Sequence, residues 1–358
     1  MIGSLFSGYG GLDLAAQSTF ARPLAFVSDI EPGPCKILAH HYPDVPNLGD
    51  VTAVDWAPWR GLISVLTGGF PCQDVSTAGR RRGLIKGVTR SGLWGEMHRA
   101  AAADSDMEPC PWCVGEGRGD ALRALGAVLG DLADTGYDAR WCGLRASDVG
   151  ACHQRFRVFV LAYPNGSSIR VEPVSESGRD GQAKPWEIVG DAAGHERWVG
   201  NRDDGHARDT NSIDREGWPA SGLPRETRPA ARPALTLLPT PRASDGQHGG
   251  PSQRGSSGDL ALPSSVHQAF GSFELAIARH AEALGRVAPD PTEPAPRGGR
   301  SLSPRFVEWM MCLPDGWVSD VPGLTRVQTL RALGNGVVPP QAEAALRYLL
   351  AAPLEATA

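Results

Sequence analysis

A short β-type run, Leu62, Ile63, Val65 and Leu66, breaks at Gly68-Gly69-Phe70-Pro71-Cys72-Gln73. The two glycines and the proline end the strand and leave the next residues on a loop at its carboxyl end. In an open α/β sheet that edge is where ligands bind. The residue delivered there is Cys72. A thiol on an exposed loop near cations is a better nucleophile than one buried in apolar surroundings. The loop continues through Arg80, Arg81, Arg82, Lys86 and Arg90, with no acidic residue between Arg80 and Arg90. Cations are thus within reach of both a thiolate and a polyanionic substrate. Taken alone, Pro71-Cys72 would sooner describe a buried structural cysteine beside a turn.

The first residues repeat the same architecture. Residues 2–6 form an apolar strand, and Ser7-Gly8-Tyr9-Gly10-Gly11 leads into the helical pattern of Leu12, Leu14 and Ala15. Strand, glycine turn and helix make a nucleotide-binding entrance, because backbone without side chains can approach a ligand at a helix N-terminus. A second strand, residues 24–27, ends in Asp29-Ile30-Glu31, which sets a carboxylate where ribose hydroxyls would lie.

Five segments then occur in a telling order. They are Phe6-Ser7-Gly8-Tyr9-Gly10-Gly11, Gly69-Phe70-Pro71-Cys72-Gln73, Arg155-Phe156-Arg157, Ser303-Pro304-Arg305 with Leu313-Pro314-Asp315-Gly316-Trp317, and Gly334-Asn335-Gly336-Val337-Val338-Pro339. In this order the chain resembles the DNA (cytosine-5)-methyltransferases, in particular their bacterial and bacteriophage members. The resemblance implies an α/β fold: a Rossmann-like, S-adenosylmethionine-dependent methyltransferase sheet with a smaller inserted target-recognition domain. It implies a catalytic and cofactor-binding domain over residues 1–163, a partly loop-rich target-recognition region over 164–302, and a C-terminal segment, 303–358, that returns to the catalytic domain.

The activity so implied is methyl transfer from S-adenosylmethionine to carbon 5 of cytosine in a specific double-stranded DNA sequence. Carbon 5 is a poor nucleophile, so a thiolate must first add to carbon 6. Cys72 is the expected nucleophile, acting on a base flipped out of the duplex. Arg155 and Arg157 match the family's paired arginines that hold the flipped cytosine, and His153 stands where many relatives carry glutamine. Cofactor contacts map onto Phe6, Gly8, Gly10 and Gly11, with Asp29 on the ribose, Ile30 against the adenine and Asp50 accepting from the adenine amino group. Leu93, Asn335 and Val337 complete that pocket. Asp29 replaces the commoner glutamate and shortens the reach by one methylene. DNA contacts are expected from Gln73, Arg80, Arg81, Arg82, Lys86, Arg90 and Arg242.

Composition agrees with this reading without selecting it. The 358 residues carry a formal charge of −5, so local basic clusters must supply any attraction to DNA. With no signal peptide and no long apolar run, a soluble, cytoplasmic and monomeric protein is expected, in a bacterial cell or a phage-infected host, with a cognate restriction endonuclease as a candidate partner. Residues 122–132 place Leu122, Leu125, Val128, Leu129 and Leu132 on one helical face, with Gly136 just beyond. The run 158–162 reads as a buried strand. From 165 to 300, Gly, Ser, Pro, Asp and Arg dominate and apolar periodicity fades. Within it, residues 237–246 read as either an ordered recognition loop or a linker. A helix over 341–350 follows Pro339-Pro340 and is expected to close the cofactor pocket.

One departure weighs against activity. The family carries a Glu-Asn-Val triplet at the end of the strand beside the one leading to the cysteine, and its glutamate assists thiolate attack. That triplet is absent here. Glu96, Glu108 and Glu116 are the nearby acids, and prolines 109 and 111 argue against a central strand between them. The alternative reading is therefore an impaired or dead relic that binds DNA or cofactor. Seven cysteines in a reducing compartment read as free thiols or metal ligands. Cys110 and Cys113 form half of a four-ligand zinc site that Cys142, Cys152 or His153 could complete. The second pair lacks the usual spacing, so no metal is expected, and a zinc-dependent DNA-binding protein is the weakest alternative.

Overall fold

The computed structural model describes residues 1–70, 93–102, 121–166, 236–247, 253–254, 260–268, 270–295 and 298–351. β1 (Ile2–Leu5) lies between β2 (Leu24–Phe26) and β3 (Val65–Gly68) in a parallel sheet of order β2-β1-β3. Register along β1 and β3 is regular, from Ile2 opposite Val65 to Leu5 opposite Gly68. Against β2 it shifts between Ile2 and Gly3. The shift turns Leu24 and Phe26 to different faces. Leu24 joins Ile2 under α1 (Gly11–Phe20) and α2 (Pro32–His41), whereas Phe26 packs with Leu5 and Trp56 on the other side. The Phe26 ring lies where a side chain on residue 3 would stand, at 2.4 Å from an added Cβ, so Gly3 is needed for this crossing.

α3 (Trp94–Ala102) packs on the Phe26 face, its Met97 side chain covering Gly68. α4 (Ala121–Asp134) follows, and Gly136, with φ 77°, turns the chain into β4 (Tyr137–Leu144). β4 pairs antiparallel with β5 (Arg157–Pro164), Tyr137 opposite Pro164 and Leu144 opposite Arg157. Each face of this hairpin meets a helix layer that also covers the parallel sheet. α1 and α9 (Pro339–Ala351) bury Ala15, Ala342 and Leu346 together with Phe159 and Leu161. Opposite, Trp94 of α3 and Val128 and Leu132 of α4 cluster with Phe70, Ala139 and Ala162. Both sheets therefore belong to one layer of an α/β/α sandwich. Residues 103–120, between α3 and α4, lie outside the described residues.

The run expected as a buried strand is only half covered. Val158 is 46 % and Val160 36 % exposed, because α9 covers the Phe159 side while α4 reaches the other side only at its Ala139–Ala162 end. Likewise Leu62 and Ile63 precede β3 rather than belonging to it, and Leu62 is exposed.

The region of faded periodicity nonetheless contains α5 (Leu262–Gln268) and α6 (Glu274–Leu284). Leu262, Val266, Phe273 and Ala276 join Phe306, Trp309 and Met310 of α7 (Pro304–Met310) and Leu330 and Leu333 of α8 (Arg326–Asn335) in one core. A short hairpin, β6 (Thr292–Pro294) with β7 (Arg300–Leu302), closes that side. The Glu308 carboxylate is buried and accepts the N–H groups of Gly316, Val318 and Ser319, which pins the Asp315-Gly316-Trp317 turn. A buried carboxylate is tolerated when its lone pairs are so filled.

Candidate active site

The glycine turn after β1 changes the chain's direction within a few residues. Phe6 has φ 53° and Gly10 φ 84°, left-handed conformations that glycine adopts freely and phenylalanine only under constraint. The Gly8 N–H donates to Asp29 Oδ2 at 2.9 Å, and the Glu31 N–H to Asp29 Oδ1 at 2.8 Å. Burial pushes the Asp29 carboxyl above its usual range, opposed by these backbone donors. Asp29 thus anchors the turn through both oxygens of its carboxylate.

Asn47 and Ser28 tie in the next loop. Asn47 Oδ1 accepts from the N–H groups of Asp29 at 3.1 Å and Gly49 at 3.0 Å, and the Ser28 hydroxyl donates to the Gly49 carbonyl at 2.7 Å. Asp50 follows directly. It is solvent-facing, and the Thr52 N–H and hydroxyl on its Oδ1 hold its carboxyl below the usual range, so it is ionised at neutral pH. Neither Asn47 nor Ser28 was expected at the site. The signal was the polar pair Asn47 and Asp50 flanking Leu48-Gly49 in the loop after α2.

The C-terminal segment reaches the same edge. The Tyr9 hydroxyl donates to the Val337 carbonyl at 2.7 Å, and the Trp317 indole to the Tyr9 carbonyl at 2.8 Å. An added Cβ on Gly11 would stand 2.3 Å from the Val337 oxygen, so the helix start and the last motif touch backbone to backbone. His41 stacks on Trp317 with ring centroids 3.6 Å apart and donates through Nε2 to its carbonyl at 2.6 Å. Phe6, Gly8, Gly10, Gly11, Asp29, Asp50 and Val337 are thereby gathered at the carboxyl edge of β1 and β2. Ile30 stands 67 % exposed there. Asn335, the exposed last residue of α8, and half-buried Leu93 show no contact that ties them to the others.

The edge also receives the end of β3. The Gly69 N–H bonds to the Leu5 carbonyl at 3.4 Å, and the Phe70 ring packs on Trp94 with centroids 5.6 Å apart. Phe70 is the last described residue before Pro71-Cys72. Cys72, Gln73, Arg80, Arg81, Arg82, Lys86 and Arg90 lie outside the described residues, as do Cys110 and Cys113. Beneath the edge, the Thr67 hydroxyl donates to Asp13 Oδ1 at 3.0 Å. Burial raises that carboxyl to about 6, against the opposing hydrogen bonds from Ser4 and Thr67.

The paired arginines have different surroundings. Arg155, with φ 39°, is buried, and its guanidinium donates to the carbonyls of Pro241 at 3.1 Å, Gly334 at 3.0 Å and Gly336. Its two Nη groups are thus turned to protein carbonyls. Half-buried Arg157 opens β5, and its Nη1 donates to the Phe156 carbonyl at 2.9 Å. His153 is also buried, and its Nε2 donates to the Met310 carbonyl at 3.0 Å. Burial first, and the nearby Arg155 charge second, lower its pKa to about 3, so it stays neutral. Cys152 and His153 both belong to the core and not to an open ligand set. Among the described residues no cluster of His, Cys, Asp and Glu could hold a metal ion.

Residues 236–247, read as either a recognition loop or a linker, lie against the core. Leu238 is buried and bridges to His153, the Thr240 hydroxyl accepts the Arg155 N–H at 3.2 Å, and Arg242 itself is exposed. Its backbone lies directly on Gly334, where an added Cβ would meet Arg242 at 2.2 Å. Among the described residues no helix is long and apolar enough to cross a membrane.

Type II methyltransferase M.Eco47II of Escherichia coli is 34 % identical over 138 residues, covering 37 % of this chain and 32 % of that protein. Type II methyltransferase M.NlaIV of Neisseria lactamica is 27 % identical over 204 residues, covering 51 % and 48 %. The matched stretches thus span less than half the length of either relative. The S. pombe Dnmt2 methyltransferase structure superposes over 98 % of both chains with a TM-score of 0.52 at 14 % identity, which speaks to the fold alone. The sequence model of the C-5 cytosine-specific DNA methylases matches residues 1–350. The chain belongs to the C-5 cytosine-specific DNA methylase family.

Proposed function

We propose that this chain methylates carbon 5 of cytosine within a specific double-stranded DNA sequence, using Cys72 as a covalent nucleophile on a flipped base. The observation that carries the reading is the convergence of the Gly8–Asp29 anchor, the Gly11–Val337 contact and the end of β3 on one sheet edge. That edge fits S-adenosylmethionine. The space beside Gly8 is free of atoms within 4 Å of an added Cβ, a carboxylate faces the ribose position, and ionised Asp50 suits an amino donor. Bound there, the cofactor would supply an electrophilic methyl group. The Cys72 thiolate adds to carbon 6 and makes carbon 5 nucleophilic; after methylation the carbon 5 proton is removed and the thiolate leaves, restoring the ring. Base flipping costs a few kcal/mol, offset by contacts in the pocket and on the DNA backbone. In this reading Arg157 holds the cytosine, Arg155 fixes the wall behind it, and Arg242 with the 73–90 cations meets the DNA.

An acid is still needed at the base. Glu96 is an unsuitable source, because it pairs with Arg99 at 2.8 Å on the far side of α3 from Trp94. Glu108 and Glu116 lie outside the described residues, and neither stands in the family's Glu-Asn-Val context. The absence of that triplet favours the rival reading of an impaired relic. Relatives named Type II methyltransferases support a restriction-modification setting with a cognate endonuclease. Bisulfite sequencing of DNA from an expressing host tests the function. Methylated cytosines in one sequence context, lost in Cys72→Ser, are expected. Unmethylated DNA from a host expressing folded wild-type protein would leave the relic reading.

A further inference from the structure

We propose that Arg99 of α3 is a positioning residue for adenine recognition, clamping the loop that presents Asp50; the proposal rests on the cofactor reading above. Asp50 stands on the connection between α2 and β3 and is itself open to solvent. Such an acceptor discriminates between purines only if the loop beneath it is fixed. On its N-terminal side the loop is held by the Ser28 hydroxyl at the Gly49 carbonyl, 2.7 Å. On its C-terminal side it is held by Arg99, whose Nη2 donates to the Val51 carbonyl at 2.7 Å and whose Nη1 donates to the Val54 carbonyl at 3.2 Å. The residues immediately before and after Asp50 are thus both tied down. The Thr52 donors on Oδ1 then orient the carboxylate and leave Oδ2 for an exocyclic amino group.

The clamp is itself braced. Arg99 Nε donates to Glu96 at 2.8 Å, and the guanidinium carbon lies 5.7 Å from the centre of the Trp56 ring. Trp56 in turn packs on Phe26 in the cluster that buries Val51. Only a planar fork with donors on three nitrogens can reach two carbonyls and a carboxylate at once; a lysine in the same place would hold one. Arg99 contributes no atom to the ligand, so its effect is on where Asp50 sits.

The test measures binding of S-adenosylhomocysteine and of its hypoxanthine counterpart, which lacks the exocyclic amino group, by titration calorimetry. Wild type, Arg99→Lys, Glu96→Ala, Asp50→Ala and the Asp50→Ala/Arg99→Lys double variant are compared, with melting curves alongside. Wild type is expected to prefer the adenine compound roughly tenfold, the size of one well-placed hydrogen bond to a charged acceptor. Asp50→Ala abolishes the preference, Arg99→Lys removes most of it, and Glu96→Ala moves it in the same direction. In the Asp50→Ala background the lysine exchange has no further effect on the ratio. Loss of packing alone would weaken both compounds equally and leave the ratio unchanged. Full preference retained in folded Arg99→Lys overturns the proposal and leaves the cofactor reading intact. Wild-type protein that binds neither compound overturns the cofactor reading, and the proposal with it.

Discussion

Arg155 and Gly334 are joined by a hydrogen bond of 3.0 Å from Nη2 to the carbonyl oxygen, across 179 residues of chain. Through it, and through the bond to Pro241, the residues just before β5, the segment 236–247 and the end of α8 become one unit. Gln341 completes the joint, its amide donating to the carbonyls of Leu144 and Arg155 at 2.8 Å each.

Arg155 and Arg157 should therefore respond differently to substitution. Arg155→Ala leaves buried carbonyls without donors and is expected to destabilise the fold by about 3 kcal/mol or more. Arg157→Ala is expected to leave the melting temperature nearly unchanged and to lower the methyl-transfer rate by roughly 100-fold. Thermal melts with single-turnover assays separate the two, and equal loss of stability in both variants would contradict the assignment.

His153 should make the protein sensitive to acid. Its pKa is lowered from 6.5 to about 3 in the fold, so below pH 6.5 the unfolded chain binds a proton that the folded chain refuses. Stability from this group is complete above pH 6.5 and falls by about 1.4 kcal/mol per pH unit as pH drops toward 3. His153→Gln keeps a donor for the Met310 carbonyl and is expected to flatten this slope. Denaturant melts of both proteins between pH 4 and 7 give the comparison; parallel profiles would refute it.

Asp13 should act with the opposite sign. Its carboxyl is raised from 3.8 to about 6, so between those values the folded chain binds the extra proton. Stability from this group is greatest below pH 3.8 and falls by about 3 kcal/mol in all as pH rises through 6. Asp13→Asn, neutral throughout, is expected to gain on wild type over that window. A difference in melting temperature that does not change with pH would show that Asp13 does not carry the buried charge.

Legibility in the sequence followed the range of the forces involved. The turn at Phe6 to Gly11 and the strand before Cys72 were readable because glycine and proline act on their immediate neighbours. The helix over residues 121–134 was readable because its apolar face repeats locally. α5 and α6 were not, since Leu262 and Phe273 are buried by Phe306 and Trp309, which come only after a stretch rich in glycine and proline. The half-exposed face of β5 was equally hidden, because Val158 and Val160 look like core residues until α4 is seen to stop short. Nor could Arg155 be told from Arg157 by type. Their neighbourhoods differ only after Pro241 and Gly334 are folded onto one of them.

The central claim is that Cys72 attacks carbon 6 of a cytosine presented at the edge built by Gly8, Asp29 and Val337. Incubating the protein with S-adenosylmethionine and duplex DNA carrying 5-fluorocytosine at the methylated position tests it most directly, because fluorine cannot leave as a proton does and the adduct is trapped. The account predicts a protein–DNA complex that survives denaturing electrophoresis, requires the cofactor and is absent in Cys72→Ser. DNA held only under native conditions, with no denaturant-resistant complex from the folded wild-type protein, would contradict it.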